Sequence, residues 1–137
     1  MKLHELHQRR LEVTVSLVEN GLDRMERLLS EGPPGGSVRT VEDTLSPEER
    51  SSLLVDFGHL RSQLRRLAEQ YSLQRHAVDI HQVLNAELSS AWVMIENCRP
   101  KRMKGYGVEF DPVVRATLED NVEQLLARVL ALRAKLR

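Results

Sequence analysis

Four of the six residues from Arg99 to Lys104 are cationic: Arg99, Lys101, Arg102 and Lys104. Gly105-Tyr106-Gly107 follows, so an aromatic ring is carried between two residues that tolerate tight backbone paths. Side chains of these types at this spacing could receive a phosphate, a nucleic-acid backbone or an acidic protein surface. The same residues also suit a plain helix end. Arg99 and Lys101 would then neutralise the negative terminus of the preceding helix, and Tyr106 would fold onto its end. Packing explains this stretch less well than any other in the chain, and loops carry function more often than helix seams do. Arg99, Lys101, Arg102, Lys104 and Tyr106 are therefore the candidate interaction loop.

Other chemistry-bearing residues are sparser. His4 and His7 are three apart and would share a helix face, but the sequence supplies no further ligand beside them. Di-iron bundles need Glu-x-x-His on two helices; only one related spacing occurs, Asp56-x-x-His59. There is no Gly-x-Ser-x-Gly, no Cys-x-x-Cys and no phosphate-cradling Gly-rich loop. Asp111 opens the helix after Gly107 and would repel an anion there. We therefore expect no enzyme, no metal and no cofactor. Trp92, with Leu88 and Ile95, forms a stripe that serves either as bundle filler or as an anchor at a protein–protein interface, where Trp is enriched. Cys98 falls in step with the apolar residues before it and is expected to be a small buried hydrophobe.

Composition narrows the class. Twenty basic residues balance twenty acidic ones, so no global field recruits nucleic acid or anionic lipid. Aromatics are few, which leaves little for stacking on bases. A single cysteine allows no internal disulfide. The N-terminus, MKLHELHQRR, lacks an apolar signal region, and no stretch approaches the ~20 apolar residues of a membrane span. A cytoplasmic protein without membrane contact is expected.

The residues that carry the loop must be positioned by helices. From Ser46 to Cys98 there is no Pro after Pro47 and only one Gly, and apolar residues recur every three or four positions. Leu53, Phe57, Leu60, Leu64, Leu67 and Tyr71 form one run. Leu73, Ala77, Ile80, Leu84, Leu88, Ala91, Ile95 and Cys98 form the next. The two-residue step from Tyr71 to Leu73 rotates the apolar face by roughly 200°, so the chain is expected to turn there, with Ser72 capping a new helix. Ser46-Pro47-Glu48-Glu49 is a capping box with Pro at the first helical position. Asp111-Pro112 opens the last helix in the same manner. Leu118, Val122, Leu125, Val129, Leu132 and Leu136 form its seam.

The first helix carries Leu11, Val15, Val18, Leu22, Met25 and Leu29 on its seam. Leu3, Leu6, Val13, Leu17 and Leu28 widen the apolar surface beyond one neighbour. Gly21 costs this helix roughly 1 kcal/mol relative to Ala, which a close helix–helix approach would explain. Gly32-Pro33-Pro34-Gly35-Gly36 ends it, and Val38, Val41 and Leu45 of the following connector are placed to dock on the helices.

The expected fold is all-α, an antiparallel up-down-up-down four-helix bundle with helices at about 2–31, 47–70, 73–98 and 112–136. It is a single domain, 1–137, with a connector at 32–45. The alternative merges the second and third helices into one long kinked helix in a dimer. The expected role is a non-enzymatic interaction protein: an adaptor, a chaperone-like holder or a self-associating homo-oligomeric scaffold with a protein partner. The alternative is a small nucleic-acid or phosphate-binding accessory protein using loop 99–106.

Overall fold

The computed structural model describes residues 2–103 and 107–137, and among them it is all-helical, with four α-helices and no strand. α1 spans Glu5–Glu31, α2 Pro47–Gln70, α3 Ile80–Glu96 and α4 Pro112–Ala134, with a 3-10 turn at Pro100–Arg102. The chain divides into two compact units, Met1–Arg75 and His76–Arg137. The first is built from α1 packed on α2, the second from α3 packed on α4.

In the first unit, α1 begins at Glu5, three residues later than expected, because the His4 ring caps it. His4 Nδ1 accepts from the Leu6 amide at 3.2 Å. The helix runs unbroken across Gly21 and ends at Gly32, which takes the positive φ of +82°. Val15 and Leu22 are buried, and Leu11 and Leu29 are half-buried on the same side. The acids of α1 meet the cations of α2. Arg61 donates to Asp23 at 2.9 Å and to Glu26 at 3.0 Å, and Glu26 first, then Asp23, raises the Arg61 pKa above its ordinary value. Arg50 Nη1 donates to the Leu29 carbonyl at 2.6 Å, while its other arm pairs with Asp43. Arg50 first, and then the Leu45 amide, holds the Asp43 carboxyl below its usual range. At the other end, Gln8 donates to the Ser72 carbonyl at 3.2 Å, and the Gln74 amide donates to Glu12 at 3.2 Å. The start of α2 is thus tied to the end of α1, and the end of α2 to the start of α1.

The α2 start follows the capping-box expectation. The Glu49 amide donates to Ser46 Oγ at 3.1 Å, and the Ser46 amide donates to Glu49 Oε1 at 3.3 Å. Ser46→Ala should cost about 1 kcal/mol, read as a lowered urea midpoint together with faster hydrogen exchange at the Glu49 amide. In the connector, Val38 and Val41 are exposed and only Leu45 is half-buried. Of the three expected docking residues, only Leu45 docks.

The α2 end differs from expectation in detail. The break falls at Tyr71, which rules out one continuous helix from 47 to 98 in this chain. Its form is a Schellman motif: the Leu73 amide donates back to the Ala68 carbonyl at 2.9 Å, and the Ser72 amide to Glu69 at 3.2 Å. Ser72 therefore sits at φ +49°, a conformation that costs a non-glycine residue roughly 1 kcal/mol or more. Ser72 closes the old helix rather than capping a new one. α3 starts at Ile80, not Leu73, because Asp79 is the N-cap. Its carboxylate accepts from the His81 amide at 2.7 Å and contacts the His81 ring at 2.8 Å. These two bonds hold the Asp79 pKa below its usual value, the amide contributing more.

In the second unit, Asn85, Leu88, Ser89, Ala91, Trp92, Ile95 and Glu96 are the half-buried side of α3. Asp111 caps α4, accepting from the amides of Val113 at 2.9 Å and Val114 at 3.3 Å. Val122, Leu126 and Val129 are buried, whereas Leu125 and Leu132, expected on the seam, are exposed. The seam steps 122-126-129 in place of 122-125-129.

A candidate interaction site at the end of α3

α3 stops at Glu96, two residues before the expected end at Cys98. The Cys98 amide closes back on Ile95 at 2.9 Å and that of Arg99 on Glu96 at 3.2 Å. Cys98 therefore leaves the helical phase of the residues before it. It is exposed rather than buried, its thiol donating to the Met94 carbonyl at 3.4 Å. Arg99 takes an extended conformation ahead of Pro100, the backbone that a residue before proline prefers. That geometry turns its side chain toward α4. Pro100 itself is buried.

Arg99 is the best-connected charge among the described residues. Its Nε donates to Glu96 at 2.8 Å, and its Nη1 contacts Glu123 at 2.6 Å and pairs with Glu119 as well. Only 13% of the side chain is exposed. Glu96, Glu123 and Glu119 all stabilise the cation and raise its pKa above the ordinary guanidinium value. Arg99 thus joins the end of α3 to α4. Among the described cations of the loop, it is the one whose donors point inward.

Lys101 and Arg102 lie in the 3-10 turn and are exposed. The turn is closed by the Arg102 amide on the Arg99 carbonyl at 2.8 Å and by the Met103 amide on Pro100 at 3.1 Å. Lys104 and Tyr106 lie outside the described residues. Lys101 lines a cleft of about 440 Å³ with Pro112, Arg115, Ala116 and Glu119. Arg115 also borders a second cleft, of about 550 Å³, with Pro100, Gly107, Val108, Glu109 and Phe110. The structure therefore places Lys101 and Arg115 on one cleft.

Sequence reasoning overlooked Arg115, Glu119 and Glu123. A signal for the two acids was present: Glu119 and Glu123 are four apart on one helix, and such like-charged pairs are unfavourable unless a cation lies between them. Trp92 is half-buried on the same side of α3 as Leu88 and Ile95. His4 and His7 place their rings edge to face, 5.9 Å between centroids. Among the described residues, no group of three or more His, Cys, Asp or Glu is placed to hold a metal ion, and no helix is long and apolar enough to cross a membrane.

Compared with protein-family models, with curated proteins and with solved structures, the chain matches none.

Proposed function

We propose that the protein is a non-enzymatic helical interaction module, an adaptor, chaperone-like holder or self-associating scaffold whose antiparallel helices present apolar stripes to a partner. One observation carries this reading. Among the described residues the buried apolar side chains are Val15, Leu22, Val122, Leu126 and Val129, while the large apolar residues left exposed on the four helices outnumber them several-fold. α4 makes the point by itself: Val113, Val114, Leu125, Leu130 and Leu132 are exposed although the helix is apolar on several sides. A helix of that kind needs cover on more than one side.

A four-helix arrangement, completed within one chain or between copies, would supply the missing cover.

Sedimentation over a wide concentration range tests the proposal. A mass above 15.7 kDa, or a stoichiometric complex recovered by affinity capture, is expected. A monomer at hundreds of micromolar that captures nothing would refute it.

A second reading rests on the cleft lined by two cations, Lys101 and Arg115, together with one acid, Glu119. It makes the loop a receptor for phosphate or nucleic acid. Binding to single- or double-stranded nucleic acid at ~50 mM salt, where electrostatic association is strong, would support it. That binding should then fall when Lys101, Arg102 and Lys104 are replaced by Ala. No binding at that salt would remove this reading.

A further inference from the structure

The outward side of α1 combines three features that no neighbour within the first unit uses. The first is a sorting of charge. At ~100° per residue, Glu5, Glu12, Glu19, Asp23 and Glu26 fall within about 60° of arc, and Arg9, Arg10, Arg24 and Arg27 within a separate arc of about 100°. Several of the acids work inside the unit, on Arg61 and on the Gln74 amide. Glu31, at the helix end, is the one acid in the arginine arc. Arg9 pairs with Glu5 along the helix at 3.0 Å. Arg10, Arg24 and Arg27 have no ion pair among the described residues.

The second feature is apolar. Leu6, Val13, Leu17 and Leu28 are exposed within the arginine arc, facing away from buried Val15 and Leu22. The third is Gly21, at the edge of this stripe. A Cβ built there meets only the end of the Arg24 side chain, at 3.8 Å. The close helix approach expected at Gly21 is therefore not made by α2. The missing side chain leaves a notch bordered by the Arg24 guanidinium.

We propose that this face of α1 docks an acidic amphipathic helix of a partner protein, with Gly21 as the point of closest backbone approach. The proposal rests on the interaction-module reading above and names the partner's chemistry. Charge complementarity sets the sign: a second copy would bring arginine against arginine. Planar guanidinium groups suit carboxylates two hydrogen bonds at a time. A lipid surface fits less well. Arg24 stands within the stripe rather than at its borders, no aromatic residue flanks it, and a bilayer has no use for a notch.

The probes are a synthetic helix with leucines at 3-4 spacing flanked by glutamates, the same helix with lysines in place of glutamates, and vesicles of phosphatidylcholine with one-quarter phosphatidylglycerol. The full chain should bind the acidic helix and discriminate against the lysine version. Arg10→Glu, Arg24→Glu and Leu17→Asp should each weaken binding about tenfold. Gly21→Ala should raise thermal stability, since Ala is the better helix former and the space is open, yet weaken binding severalfold. A purely structural glycine would not separate the two readouts. In a Cys98→Ser background, Leu17→Cys should react with maleimide as an exposed thiol in the free chain and slowly in the complex.

Equal binding of both peptides, binding that ignores the α1 variants, vesicle binding without peptide binding, or a Leu17→Cys thiol already protected in the free chain would overturn the proposal. Self-association or partner capture that is insensitive to these variants would overturn it and leave the broader module reading standing. A strict monomer that binds none of the probes would overturn both.

Discussion

Leu22→Ala should destabilise the α1–α2 pair by about 2–5 kcal/mol, while Leu17→Ala on the same helix should change stability by less than about 0.5 kcal/mol. The two residues have the same side chain, lie five positions apart in one helix and would look interchangeable on a hydropathy plot. Leu22 has no accessible surface, whereas 63% of Leu17 is exposed. Removing three carbons from Leu22 forfeits their transfer free energy and leaves a cavity between α1 and α2. Removing them from Leu17 opens nothing, and Ala is the better helix former. A domain of ordinary stability holds only about 5–15 kcal/mol in reserve, so the upper end of the Leu22 range would leave the pair largely unfolded. Urea melts of the two variants, followed by circular dichroism, check this. Equal midpoint shifts would show that the buried side of α1 has been misplaced.

Leu126→Ala, compared with Leu125→Ala, provides the same contrast between adjacent residues of α4. Leu126 is 2% exposed and Leu125 53% exposed. The first change should cost about 2–5 kcal/mol, the second well under about 1 kcal/mol in the isolated chain. The readout at Leu125 changes when a partner is present. If its exposed stripe is covered in a complex, Leu125→Ala should weaken association by a few-fold while leaving the melt of the free chain almost unmoved. A large stability loss at Leu125 with little at Leu126 would restore the seam read from periodicity alone.

That seam shows where local reading stops. Leu125 and Leu126 both fit a three-or-four spacing from Val122 and Val129. Periodicity selects a side of α4 about 100° wide but cannot choose between neighbours within it; the line along which α3 lies on α4 chooses Leu126. Cys98 failed as a core residue for a related reason. Its spacing from Ile95 was right, but the helix had already ended at Glu96, and phase means nothing beyond a helix end. The turn at Tyr71 was legible from the slip in phase. Its form was not, because a Schellman motif usually advertises itself with glycine and here the left-handed position is filled by Ser72. The true start of α3 was marked by Asp79, a good cap overlooked because the apolar spacing had already resumed at Leu73.

The candidate loop divides along the same line. Its position, between a helix ended by Arg99-Pro100 and one opened by Asp111-Pro112, was legible. The inward commitment of Arg99 was not, since its partners Glu119 and Glu123 are twenty or more residues away.

The sequence by itself determined that this protein is helical, where α2 and α4 begin, and that its charge is balanced. Each of these depends on groups within about four residues of one another: a serine or aspartate oxygen reaching the next amides, a proline ring fixing one dihedral, apolar residues returning every turn. Only the tertiary structure decided which apolar residues are buried, which arginines are spent on internal carboxylates and which remain facing outward. Those outcomes depend on where one helix axis lies on another, and a shift of one residue along a helix turns a side chain by ~100° from neighbour to solvent.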